Sequence, residues 1–315
     1  MEPVTATRIA CLGECMLELV ERSDGSLSRG FGGDTLNTAV YMARLGLAVD
    51  YVTALGDDSF SDEMIQAWRR EGIGTGTVLR VRDTLPGLYL IQTDANGERR
   101  FSYWRDDAPV RRLFNLPETT QIETALEGYD LVYLSGITLS LFGEAGRSRL
   151  FEVVERVHGR GGRVVFDSNF RPRGWPDRTA ARAAYDRMLA CSDIVLASVE
   201  DFALLDGCVG VADVVARLED AGVAECVVKL IPPGCLIVAE GREVLVQAEP
   251  VAAVVDTTAA GDSFAAAYVA ARCAGASAVE AARRGHRLAA AVVRHRGAII
   301  PRSAMPENLL IPEVL

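Results

Sequence analysis

Asp256-Thr257-Thr258-Ala259-Ala260-Gly261-Asp262-Ser263-Phe264 is a polar, small-residue loop that runs straight into an alanine-rich stretch starting near Ser263. Gly261 permits close backbone approach, and successive N–H groups at a helix N-terminus form an anion site suited to phosphate oxygens. Asp262 stands at the mouth of that site. A carboxylate beside a phosphoryl group is electrostatically unfavourable unless it accepts a proton from an attacking hydroxyl, which is the base role in phosphoryl transfer. Taken alone, the same aspartate also reads as a plain helix N-cap.

Around this loop, short apolar β-branched runs alternate with longer helical patterns, the mark of crossover units and a mostly parallel sheet. Core strands are expected near Ile9-Leu12, Tyr51-Ala54, Leu131-Leu134, Val164-Phe166, Ile194-Ala197, Cys226-Leu230 and Leu236-Ala239. Helices are expected near Thr35-Arg44, Asp62-Glu71, Arg147-His158, Ala180-Leu189, Val211-Ala221, Ser263-Cys273 and Ala278-Arg294. No Pro/Ser-rich linker and no internal repeat divides the chain, which reads as one α/β domain over residues 1–315.

A second glycine-rich turn enters a helix at Phe31-Gly32-Gly33-Asp34-Thr35-Leu36-Asn37. Its glycines let a ligand touch backbone, while Asp34 and Asn37 share one face of the first turn and suit vicinal hydroxyls; Asp34 as a simple cap is the plainer alternative. The third segment, Phe166-Asp167-Ser168-Asn169-Phe170-Arg171-Pro172, falls at the carboxyl end of a predicted parallel strand, the edge where open α/β sheets bind ligands. Arg171 can grip a carboxylate or phosphate with its planar fork, or make an ordinary surface ion pair.

Gly87 to Arg105 breaks the helix-strand rhythm and reads as a β-hairpin around Asn96-Gly97. With Cys15-Val20 and Gly30-Gly33 it can form a small sheet projecting from the core, a natural lid or dimer surface. A two-residue turn would pair Tyr89 with Trp104 and put Tyr103 and Arg105 on the opposite face. A three-residue loop would pair Tyr89 with Tyr103 and put all three on one face.

Composition narrows the function classes. At 315 residues, with 49% hydrophobic and 24% charged residues, the chain can bury a large core. Its net charge of −10 argues against a nucleic-acid or membrane-surface binder and requires any anionic ligand to be met by local cations. Lys229 is the sole lysine, so a G-x-x-x-x-G-K-[ST] phosphate loop is ruled out. Seven scattered cysteines without a C-x-x-C pair read as reduced thiols of a cytoplasmic protein, and no apolar stretch is long enough to span a bilayer. Three isolated histidines offer no metal-ligand spacing. Gly72-Ile73-Gly74-Thr75-Gly76-Thr77 comes nearest to a dinucleotide fingerprint but lacks the last glycine and follows a helix instead of a strand.

The three segments, in this order, resemble the ribokinase-like (PfkB-type) family of carbohydrate kinases over residues 8–302, and within it the bacterial kinases of 2-keto-3-deoxygluconate. The latter resemblance is carried by Gly13-Glu14-Cys15-Met16, Gly32-Gly33-Asp34-Thr35-Leu36-Asn37-Thr38, Leu85-Pro86-Gly87-Leu88-Tyr89, Tyr103-Trp104-Arg105, Asn169-Phe170-Arg171-Pro172 and Arg296-Gly297-Ala298-Ile299-Ile300-Pro301-Arg302. It implies a three-layer α/β/α core with a mostly parallel sheet and a β-sheet lid from segments near 14–33 and 86–108. It also implies ATP- and Mg²⁺-dependent phosphorylation of the sugar acid at its terminal C6 hydroxyl, with a fructokinase- or ribokinase-type kinase or a non-catalytic sugar-acid sensor as alternatives.

On this resemblance Asp262 is the base, and Ala259, Ala260 and Gly261 form the anion hole. Gly33, Asp34, Asn37 and Asp256 contact the sugar, while Tyr89, Tyr103, Arg105 and Arg171 select a keto-deoxy acid over a neutral sugar. Asn169, Ser198, Lys229 and Gly234 join Ala259 and Gly261 on the nucleotide side, with no metal ligand assigned. A homo-oligomer, such as a dimer through the lid sheet, is expected. The chain departs from its relatives at Lys229-Leu230-Ile231-Pro232-Pro233-Gly234, where they run from Val-Val-Lys into an Arg-Gly-Ala type loop. Proline has no N–H to offer a phosphate or ribose. It departs again at Ser198-Val199-Glu200-Asp201, where many relatives carry Asn-x-x-Glu.

Overall fold

The structure, a computed structural model, describes residues 7–22, 24–93, 99–307 and 309. Among them, nine strands form the main sheet in the order Arg242–Gln247, Gly234–Ala239, Glu225–Leu230, Ile194–Ser198, Arg163–Asp167, Leu131–Ser135, Arg8–Leu12, Ala48–Gly56 and Val78–Val81. From Glu225–Leu230 to Val78–Val81 all neighbours are parallel, and the two strands beyond Glu225–Leu230 are antiparallel.

Helices cover both faces, which is why the central strands are continuously apolar instead of alternating. Leu131–Ser135, for example, is buried at every residue. Along Arg8–Leu12 the pleat sends Ile9 and Cys11 into the core beneath the helices Asp34–Arg44, Ala260–Cys273 and Ala278–Val292. Ala10 and Leu12 enter the opposite core, against Glu144–Gly159 and Arg178–Ala190. No described helix is long and apolar enough to cross a membrane.

A second sheet of four strands, ordered Leu27–Gly32, Met16–Glu21, Leu88–Thr93 and Arg99–Trp104, stands apart from the first. It joins the two lid segments expected from the sequence. The turn expected at Asn96-Gly97 lies outside the described residues. The register of its strands is nevertheless set, with Tyr89 opposite Tyr103 and Leu88 opposite Trp104. This is the register that sets Tyr89 against Tyr103, not the one that sets it against Trp104.

Differences from the sequence reading fall at the periphery. The helix expected from Arg147 begins at Glu144, and Thr119–Leu126, Gly136–Leu141 and Val199–Asp206 are helical without having been anticipated. The two edge strands of the main sheet, Val78–Val81 and Arg242–Gln247, were not expected; the latter carries the short apolar run Val244-Leu245-Val246 but buries only Val246.

The lid meets the core at Gly33, the N-cap of Asp34–Arg44, which has no side-chain cap. A Cβ there would lie 2.1 Å from the Glu14 carbonyl oxygen, backbone against backbone. Gly33→Ala is therefore expected to cost about 1–3 kcal/mol in urea denaturation, and an unchanged midpoint would refute that packing.

Candidate active site

The carboxyl ends of the parallel strands and the N-termini of two helices enclose a cavity of about 530 Å³, roofed by the lid sheet. Asp34, the first residue of its helix, accepts a hydrogen bond from Asn169 Nδ2 at Oδ2 (2.7 Å). It is thus held by a neighbour across the cavity and does not cap its own helix. Asn37, one turn on, donates through Nδ2 to Asp262 Oδ2 (2.8 Å), while its buried Oδ1 has no hydrogen-bond partner among the described residues. Such an acceptor suits an incoming hydroxyl.

Asp262 lies in the first turn of Ala260–Cys273. Its N-cap, Ala259, has φ 59° and ψ 17°, a left-handed conformation that an L-residue adopts only when its surroundings impose it. Asn169, also on the cavity wall, has φ 26°. The turn at Ala259 is closed by Ala260 N–H donating to Thr257 O (3.2 Å), and the first bond along the helix runs from Ser263 N–H to Ala259 O (2.9 Å). The N–H groups of Gly261 and Asp262 are therefore the ones placed at the helix end, where anions bind. Burial, then the carboxylate of Asp34, pushes the Asp262 carboxyl up to about 8, against the hydrogen bond from Asn37 and the charge of Lys229.

Lys229 Nζ donates to both oxygens of Asp167, at 3.0 and 3.2 Å, and faces Gly261. Ser198 caps the helix Val199–Asp206 by accepting from Asp201 N–H (3.2 Å). Asp201 in turn accepts from Ser168 Oγ (2.6 Å) and Arg171 Nη1 (3.4 Å). Arg171 remains mostly exposed at the cavity wall.

From the lid come Tyr89, Phe101 and Tyr103, with the Phe101 and Tyr103 rings 6.3 Å apart and nearly parallel. The Tyr89 hydroxyl donates to Glu18 Oε2 (2.5 Å) in a space that any side chain at Gly32 would fill.

Two expected residues lie elsewhere. Arg105 emerges on the same side as Tyr89, its Cβ 3.1 Å from where a Gly87 Cβ would stand, but its guanidinium turns to the buried Glu14 and does not line the cavity. Asp256 accepts from Thr258 N–H (3.0 Å) and Thr258 Oγ1 (2.7 Å) at Oδ1, and from Gly297 N–H (2.9 Å) at Oδ2. It ties down the loop instead of reaching the cavity. Gly234 belongs to a second cavity of about 850 Å³, lined by apolar groups including Leu230, Ile231, Pro232, Val251 and Val254 and adjoining the first at Thr257 and Ala260. Asn169, expected on the nucleotide side, stands against Asp34.

Asp167 and Phe101 also line the cavity, and neither is among the site residues expected from the sequence. Asp167 ends a predicted strand at the ligand edge, and Phe101 lies two residues from Tyr103 on one strand face, so both were within reach of pattern. Among the described residues no group of three or more His, Cys, Asp or Glu could hold a metal ion.

A polar cavity lined by Asp34, Asn37 and Asp262 and a helix N-terminus adjoining a second, apolar cavity fit a phosphotransferase acting on an alcohol. The chain belongs to the pfkB family of carbohydrate kinases, whose sequence model matches residues 6–305. It is 47% identical over 310 residues to a 2-dehydro-3-deoxygluconokinase of Dickeya dadantii, covering 96% of this chain and 100% of that one. To the Escherichia coli K12 protein of the same name it is 45% identical, covering 95% and 99%. The fold matches the fructokinase of Xylella fastidiosa solved with bound ATP, at TM-score 0.82 and 24% identity, covering 95% of each chain.

The Asp262 carboxyl titrates higher folded than unfolded, so the folded state binds the extra proton between about pH 4 and pH 8, and Asp262 costs stability as pH rises through that window. Asp262→Asn should raise the denaturation midpoint little near pH 4 and most at pH 8 and above. A pH-independent difference would contradict the burial argument.

Proposed function

We propose that this protein transfers the γ-phosphoryl group of ATP to the terminal C6 hydroxyl of 2-keto-3-deoxygluconate, giving the 6-phosphate. The observation that carries this reading is Asp262, oriented by Asn37 and set at the helix end between the polar and the apolar cavity. The relatives' names supply the substrate class.

In this reading the acceptor lies between the lid aromatics and the Asp34–Asn37 turn, its hydroxyls meeting Asp34, Asn37 and the backbone of Gly33. Asp262, ionised, takes the proton of the terminal hydroxyl as that oxygen bonds to the γ-phosphorus and the bond to the ADP oxygen breaks. The N–H groups at Gly261 and Asp262 receive the equatorial oxygens. ATP extends into the apolar cavity, where the base packs beside Ile231 and Pro232 and gains little hydrogen bonding from a loop with two prolines. Mg²⁺ would supply charge neutralisation on the phosphates, and with no cluster of metal-ligating side chains among the described residues it would be held chiefly by the nucleotide and water. We take the whole chain as one cytoplasmic kinase domain whose lid carries exposed Leu27 and Trp104, apolar side chains that suit a lid-to-lid dimer.

Because Glu14 holds Arg105, Arg171 makes the grip on the substrate carboxylate. The same pairing favours a second reading, a kinase for a neutral sugar. An ATP-coupled assay across gluconate-type and galactonate-type keto-deoxy acids, fructose and ribose separates the two. The proposal predicts turnover of a keto-deoxy acid, and a KM for it raised about 10- to 100-fold in Arg171→Ala, the range of a lost charged hydrogen bond. Turnover of the neutral sugars alone would overturn it.

A further inference from the structure

Lys229 is the chain's only lysine, with 32 arginines making up the other basic residues (33 less one). It stands on Glu225–Leu230 and its partner Asp167 on Arg163–Asp167, two strands separated by Ile194–Ser198, so the pair bridges the carboxyl edge of the sheet. Both line the cavity, with the Lys229 side chain the more exposed, at 23% against 5% for Asp167. Apart from Gly261's chain neighbours and the backbone of its own helix, Lys229 Nζ is the one described heavy atom within 4 Å of where a Gly261 Cβ would stand, at 3.8 Å.

Stability does not account for this arrangement, because buried ion pairs replaced by apolar residues of similar volume commonly leave stability unchanged or higher. A forked guanidinium would pair better with a carboxylate, whereas a compact ammonium leaves the space before Gly261 open.

We propose that Asp167 is a positioning residue for phosphoryl transfer, holding the Lys229 ammonium in front of the Gly261 turn so that it meets the phosphoryl group crossing from nucleotide to acceptor. This rests on the kinase reading above. Lys229 keeps its proton throughout and forms no bond to phosphorus; it offsets the charge on the transferring oxygens. Asp167, Asp201 and Asp262 face the amine from the neighbouring strand ends and helices, with the guanidinium of Arg171 beyond Asp201. Burial by itself would discharge the amine, but Asp167 first, then the other two carboxylates, holds its pKa above the ordinary lysine value.

The test is kcat and KM against pH for the full chain with ATP and 2-keto-3-deoxygluconate. An inactive wild type removes the kinase reading and this inference with it. In an active protein, Asp167→Asn should lower kcat about 10- to 100-fold while KM for the sugar acid moves less than about threefold. It should also bring the alkaline fall of kcat to lower pH than in wild type. Lys229→Arg added to Asp167→Asn should abolish that fall, because a guanidinium does not titrate there. The double variant Asp167→Asn/Lys229→Met, which leaves no unpaired charge, should be no slower than Lys229→Met alone. With wild type active, an Asp167→Asn profile parallel to wild type, or losses that multiply in the double variant, would overturn the inference and leave the kinase reading standing.

Discussion

The hydrogen bond from Asn37 to Asp262 joins two helices that start from opposite ends of the sequence, and the site is organised around it. Each helix begins at a residue without a side-chain cap, Gly33 in one and Ala259 in the other. Both N-termini therefore keep their backbone donors for a ligand instead of spending them on a cap. The cost is visible locally, in a left-handed Ala259 and in a carboxyl whose ionised form is disfavoured by burial and by Asp34. A base with a raised pKa is better matched to a hydroxyl proton than an ordinary aspartate.

The same logic resolves the charge of the molecule. A chain ten units negative overall sets at this cavity cations that are few and individually restrained, Lys229 by Asp167 and Arg171 by Asp201. Pairing keeps long side chains in one place, so the field at the site comes from fixed groups and does not depend on net charge. The Glu14–Arg105 pair adds a mechanical link. It ties the last residues of the lid hairpin to the segment on which the lid sheet leaves the core.

Much of this was legible in the sequence because it is local. The anion loop, the glycine pair and the strand-end Asp-Ser-Asn-Phe-Arg each carry their chemistry within ten residues, and the apolar runs of the central strands are buried on both faces whatever the loops do. The hairpin left two registers open, and the structure has the one that sets Tyr89 against Tyr103. What pattern could not supply is partnership across the chain. Nothing near Asp256 indicates that it would be consumed by Gly297, nothing near Arg105 points to Glu14, and Asn169 reads as a phosphate contact until Asp34 is seen beside it. The Pro232-Pro233 turn looked like damage to a nucleotide loop. It forms the tight connection of an antiparallel pair, with Leu230 opposite Gly234, and helps wall an apolar cavity.

The most direct measurement of the central claim is Asp262→Asn, assayed by rapid-quench transfer from ATP to 2-keto-3-deoxygluconate and by calorimetric titration of the same sugar acid. If Asp262 is the base, transfer falls by about 10²- to 10⁴-fold while the sugar acid binds within a few-fold of wild type. Transfer at the wild-type rate would contradict the account.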